Sequence, residues 1–149
     1  MTLLDANVLV YAVNADAPQH TPSRTVVQES LDERLPGVLV PQVLLEFYTV
    51  VTHPRRIARP LDPLEAWRQV AVLRGGLVVL DLHPAALTIL GGLVATMRPQ
   101  GRGIFDLFLV AQMRAHGVAT ICTYNVADFR GVTGIETLTP ETMLARRPA

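Results

Sequence analysis

Apolar residues fall along this chain in two patterns that alternate: short unbroken runs, and longer stretches with apolar positions at helical spacing. The first run, Thr2-Leu-Leu-Asp5, passes straight into Ala6-Asn-Val-Leu-Val-Tyr11, which reads as a buried strand, a tight turn and a helix reaching Asn14. Ala15-Asp16-Ala17-Pro18 closes that helix. A second helix fits His20 to Leu35, with Thr21-Pro22-Ser23 at its start and Pro36-Gly37 beyond its end. Val38-Leu39-Val40 is a brief buried strand, and Pro41 opens a helix over Gln42 to Thr52. The pattern then breaks at His53 to Pro60, a proline-bounded loop that carries Arg55, Arg56 and Arg59. Asp62-Pro-Leu-Glu65 starts a helix with Trp67, Val70, Ala71 and Leu73 or Leu77 near its inner face, and Gly75-Gly76 ends it. Leu77 to Leu82 is a third strand, Pro84 opens a helix to about Thr96, and Arg98 to Gly103 is a loop. Ile104 to His116 is apolar almost all round and is predicted as a helix buried on most faces, with Gly117 after it. Val118 to Thr123 is a fourth strand, Tyr124 to Phe129 a loop, Ile135 to Leu138 an edge strand, and Thr139-Pro140 begins a last short helix. Strands separated throughout by helices predict an α/β fold around a parallel, helix-covered sheet of four to five strands, in one domain over residues 1–149.

Composition narrows the setting. Half the residues are hydrophobic and 17% are charged, a globular balance that excludes a disordered chain. Cys122 is the only cysteine, so an internal disulfide and a cysteine-based zinc site are excluded, and a reducing cytoplasm is the expected home. The longest uncharged stretch, Leu82 to Met97, is shorter than the roughly 20 residues a membrane helix needs, and no basic segment precedes the first apolar run, so neither a membrane span nor a secretory signal is expected. Formal net charge is zero, so attraction to nucleic acid must come from local clusters of cations. Those cations are all arginine; the absence of lysine removes every mechanism that needs an active-site lysine.

The candidate chemistry lies in the carboxylates. Asp5, Glu46 and Asp106 each stand as the only charge in a stretch whose neighbours call for burial. An unpaired ionised carboxylate is costly to bury, so each must be protonated, paired with an arginine from elsewhere, or bound to a cation. Asp5 could also simply cap the helix that follows it. Three independent occurrences favour a metal, and Asp128, just past the fourth strand, adds a fourth carboxylate at the same edge of the sheet as Asp5. Oxygen-only donors suit hard cations such as magnesium or manganese, while His20, His53, His83 and His116 lack ligand spacing and read as surface or capping residues. An all-carboxylate site of this kind performs phosphoryl chemistry, so phosphodiester hydrolysis is the expected reaction. Haloacid-dehalogenase phosphatases and response-regulator receivers share acidic clusters on similar sheets, but both use a lysine. A Walker-type loop, a dinucleotide glycine motif and a Ser or Cys nucleophile motif are absent.

Over nearly its whole length the sequence resembles the PIN-domain family, in particular the short bacterial VapC-like ribonucleases that act as toxins of toxin–antitoxin pairs. The resemblance is carried by Leu3-Leu-Asp-Ala-Asn-Val-Leu9, Glu46, Ile104-Phe-Asp106-Leu and Thr123-Tyr-Asn-Val-Ala-Asp-Phe129, in that order and spacing. It implies a three-layer α/β/α sandwich, an endoribonuclease dependent on Mg2+ or Mn2+, a small antitoxin partner lying across the acidic groove, and a homodimer. Carried over by position, Asp5, Glu46, Asp106 and Asp128 would be catalytic. Asp5 and Asp106 would be the principal metal ligands, Glu46 a ligand or orienter of the attacking water, and Asp128 the outer member. Asn7, Thr123 and Asn125 would support them. Many relatives carry Asp where Asn125 stands, which puts a second metal position in doubt. Arg55, Arg56, Arg59 and Arg102, with Arg98 and Arg130, are the loop arginines that could meet RNA, and Tyr48 and Tyr124 could stack on bases. Competing expectations are a PIN-type nuclease of RNA maturation or DNA processing, and a catalytically weak module whose acidic groove docks a basic peptide.

Overall fold

The computed structural model describes residues 1–148. Five strands, β1 (Thr2–Leu4), β2 (Gly37–Leu39), β3 (Val78–Val79), β4 (Thr120–Cys122) and β5 (Glu136–Leu138), form one sheet in the order β3-β2-β1-β4-β5. Every neighbouring pair is parallel. Seven helices flank it: α1 (Ala6–Val13), α2 (His20–Leu31), α3 (Pro41–Val51), α4 (Pro63–Gly76), α5 (Ala86–Met97), α6 (Gly103–Ala115) and α7 (Pro140–Ala145). This is the three-layer α/β/α architecture expected of the sequence. The sheet centre is dry, with Leu3, Leu4, Leu39, Ile121 and Cys122 at 0% exposure beneath Phe47, Leu109 and Val110.

The order of strands is what makes a site. From β1 the chain builds outward through β2 to β3, then crosses back to lay β4 on the other side of β1. At such a reversal the connections leave the sheet in opposite directions, and a crevice opens between the carboxyl ends of the two central strands. Leu4 pairs with Cys122 at that edge, so the next residues, Asp5 and Thr123, come out side by side.

Several elements differ from the sequence pattern. The second helix stops at Leu31, and the Asp32-Glu33-Arg34 turn, with Glu33 at φ 57°, returns the chain so that Leu35 is buried. The third strand shrinks to Val78–Val79, because it lies at the sheet's edge with β2 as its one partner and Leu82 is exposed. Gly75-Gly76 ends α4 as expected, but the helix's buried stripe is Ala66, Val70 and Leu73, continued by Leu77. Trp67 and Ala71 therefore face outward, and Trp67 sits edge-on to Tyr48 at 6.2 Å. The first turn of α6 is also open: Ile104 and Phe105 are exposed, and the buried face begins at Leu107. The segment after β4 contains a 3-10 helix over Val126–Phe129.

Candidate active site

Asp5 is 6% exposed and serves two purposes. Its Oδ1 accepts from the Ala6 amide at 2.7 Å, capping α1, while Oδ2 accepts from the Thr123 hydroxyl at 2.7 Å and from Asn7 Nδ2 at 2.9 Å. Thr123 Oγ1 in turn accepts from Asn7 Nδ2 and from the Asn125 amide, both at 3.0 Å, so its one proton is committed to Asp5. The Tyr124 amide donates to Asn7 Oδ1 at 3.0 Å, which fixes the orientation of the Asn7 amide. Asp5 is thereby held rigidly between the ends of β1 and β4. Burial raises its pKa, the bonds from Thr123, Ala6 and Asn7 pull against that rise, and the charge of Asp128 adds to it. Asn125 enters through its backbone amide.

The premise of burial holds for Asp5 alone, since Glu46 and Asp106 are only partly buried. Glu46, on α3, accepts from Gln42 Nε2 at 2.7 Å. Its pKa is raised by desolvation and by Asp5, against the Gln42 bond and the charge of Arg102. Asp106, in the first turn of α6, has no side-chain hydrogen bond or ion pair among the described residues; desolvation, then Asp128, Asp5 and Glu46, push its pKa up to about 6. Asp5, Glu46, Asp106 and Asp128 thus share one electrostatic neighbourhood at the crevice. None of the five ion pairs among the described residues involves any of them. The salt-bridged core that could have explained these carboxylates is not what the structure contains.

Among the described residues no three His, Cys, Asp or Glu side chains are gathered closely enough to form a metal cage of protein ligands alone. That suits magnesium, which keeps several waters and takes one or two carboxylates together with substrate phosphate. A cation is also the missing counter-charge for carboxylates that repel one another, so the donor set fits. The histidines are occupied elsewhere: His20 and His116 meet the carbonyls of Tyr11 and Asp81 at 2.8 and 2.7 Å, and His53 and His83 accept from the amides of Arg55 and Ala85. Cys122 is buried, and burial together with the charges of Asp5 and Glu141 pushes its thiol up to about 12, too high for a nucleophile.

Of the arginines, Arg102, immediately before α6, reaches the site's field through Glu46. Arg59 is committed elsewhere: its Nε and Nη2 clamp the Asp16 carboxylate at 3.0 and 2.9 Å, fastening the loop of residues 53–60 to the turn after α1. Arg55 and Arg56 are exposed in that same loop. Tyr124 packs edge-on against Tyr11 at 5.3 Å and donates to Glu141 at 2.8 Å. The sequence reading overlooked two side chains, Gln42 and Gln112, which lie one behind the other beyond Glu46. The available signal was Gln112, the lone amide within a helix that is apolar almost all round.

A doubly-wound sheet with a carboxylate at its switch point, ringed by further carboxylates, defines the class, and sequence comparison places the chain within it. The PIN domain profile matches residues 2–134, and the chain belongs to that family. Ribonuclease VapC48 of Mycobacterium tuberculosis is 32% identical over 140 residues, covering 91% of this chain and 94% of the relative. Among solved structures, the DNA-bound VapBC of Salmonella typhimurium superposes with a TM-score of 0.68 at 18% identity, over 94% of this chain and 99% of the other. A toxin–antitoxin complex from Klebsiella pneumoniae gives 0.62 at 12% identity, over 94% and 98%.

Proposed function

We propose that this chain is an endoribonuclease dependent on Mg2+ or Mn2+, the toxin of a toxin–antitoxin pair working in the cytoplasm. The observation that carries this reading is the set of four carboxylates at the switch point, mutually repelling and without a paired cation. The VapC ribonucleases among its relatives supply the substrate class, and the toxin–antitoxin complexes that share its fold supply the partner.

Asp5 and Asp106 would hold the ion, which when bound polarises the scissile phosphate and lowers the pKa of water. Asp5 is suited to this because its carboxylate is locked before any ligand arrives, leaving little to reorganise. Glu46, within the field of Asp5, accepts a proton from the attacking water as its oxygen bonds to phosphorus and the ester P–O bond breaks, the leaving oxygen taking its proton from solvent. Asp128 adds negative charge at the outer rim and draws the cation in. Asn125 is a neutral amide and adds no charge there. Arg102 is the nearest candidate to meet a phosphate, with Arg55 and Arg56 along the exposed loop; the clamp on Asp16 takes Arg59 out of that role. We also assign a homodimer, formed through the uncharged outer face of α5.

The test is cleavage of total RNA by purified, antitoxin-free protein with Mg2+ or Mn2+ and with chelator, beside Asp5→Asn. Discrete fragments are expected only with metal, and a loss of at least about 100-fold in the variant, since an interaction of the transition state is removed. Intact RNA under every condition, from protein shown to be folded, would remove the nuclease reading.

A further inference from the structure

We propose that Gln42, oriented by the buried Gln112, is a positioning residue that sets the Glu46 carboxylate relative to Asp106. What Glu46 does rests on the nuclease reading above; where Gln42 holds it rests on geometry.

Gln112 is 2% exposed in the middle of α6. Its Nε2 donates to Gln42 Oε1 at 3.0 Å and lies 3.4 Å from the Phe108 carbonyl of its own helix. Gln42 Nε2 donates to Glu46 Oε1 at 2.7 Å and to the Phe105 carbonyl at 3.0 Å. The direction of this chain is fixed by chemistry. A carboxylate and a backbone carbonyl only accept, so Gln42 must turn its nitrogen to them and its oxygen to Gln112. Rotating either amide by half a turn would set oxygen against oxygen. Every proton of the Gln42 amide is then spoken for, one on the carboxylate of α3 and one on the residue directly before Asp106.

That second bond gives the network its consequence. Glu46 and Asp106 lie on helices that are not extensively packed together, and the Gln42 amide bridges the two at the site. It fixes which way Glu46 points and pins the first turn of α6, where Asp106 stands. A buried amide is expensive to retain without partners, and a side chain of similar shape such as Leu would fill the same space. Gln112 is explained by the orientation it imposes on Gln42.

The test is a double-mutant cycle in the full chain, with single-stranded oligoribonucleotide cleavage measured in Mg2+. Gln42→Leu is expected to lower kcat by about tenfold with KM within about twofold, and to lower it less than about twofold further when added to Glu46→Gln. Gln112→Leu should fall in the same direction by a smaller factor. Equal losses from Gln42→Leu in both backgrounds, or a loss carried wholly by KM, would overturn the proposal. A second readout does not depend on activity: the side-chain amide proton resonances of Gln42 should shift in both Glu46→Gln and Gln112→Leu. If the wild type cuts RNA and those resonances do not move, the link is wrong. Should the resonances move while the wild type cuts nothing, the nuclease reading fails, and the role given to Gln42 falls with it while the contact stands.

Discussion

Asp106 is the residue of the candidate site whose electrostatics can be tested most directly. Its carboxyl is pushed up to about 6 from 3.8, by desolvation first and then by three neighbouring carboxylates. An acid with a raised folded pKa binds its proton more tightly folded than unfolded. Its contribution to stability is therefore full below about pH 3.8 and is lost as pH rises to about 6, leaving at neutral pH a charge that is first desolvated and then repelled by its neighbours. Asp106→Asn should accordingly raise Tm at pH 8 and leave it nearly unchanged at pH 4. Added Mg2+ should raise the wild-type Tm at pH 8 more than that of the variant, because cation and amide relieve the cost of the same desolvated, repelled charge. Thermal melts at the two pH values check both statements, and an equal gain from Asp106→Asn at pH 4 and pH 8 would contradict the cost assigned to the ionised carboxylate. At this scale the carboxylates were legible in the sequence because a lone charge in an apolar run stands out. Gln42 and Gln112 did not stand out, since an amide carries no charge to explain and its worth depends on a partner sixty or more positions away.

Among the elements, helix starts were readable, and so were the ends, except that of α2. Asp62 and Thr139 accept from the amides of Leu64 and Thr142, and Pro41, Pro63 and Pro140 stand in the first turns of their helices, all local chemistry visible in the chain. The end of α2 was set by tertiary demand, because burying Leu35 requires the turn at Glu33, and nothing local announces it. The face of α4 was misjudged because Trp67 is the most conspicuous apolar residue there, yet the stripe that packs is Ala66, Val70 and Leu73. The pairing of Arg59 with Asp16 was equally invisible, because the two residues stand forty-three positions apart. The Arg59–Asp16 pair is exposed, 75% and 49% at the two side chains, so Arg59→Ala should cost no more than about 1 kcal/mol in urea unfolding. Its cleavage kinetics should match the wild type. Arg102→Ala, beside Glu46, should instead raise KM for RNA severalfold and flatten its salt dependence, and a KM unchanged by Arg102→Ala would place the RNA path elsewhere.

For the whole molecule, the open question is what covers its apolar outside. The surface is 8347 Å², against about 7,500 Å² for a compact monomer of this mass, so the chain exposes roughly a tenth more than its size requires. The excess is of the order of the area one partner buries in a standard interface. The most open apolar element is α5, a helix without a single charged residue, of which only Ala86 and Leu93 are buried. Leu87 is 66% exposed in its first turn, and Leu82 just before it and Phe105 at the start of the adjoining α6 are exposed as well. Contiguous apolar surface depleted of charge is characteristic of an interface core, and a face contributed by one helix can meet its own copy about a two-fold axis. The protein should therefore sediment as a dimer at micromolar concentration. Leu87→Glu would place a charge in that core and should give a monomer with an unchanged circular dichroism spectrum, since the side chain has no buried contacts to lose. A wild type that remains monomeric at tens of micromolar would assign the face to a different partner, and co-expression with the antitoxin would then show whether Leu87→Glu weakens that complex.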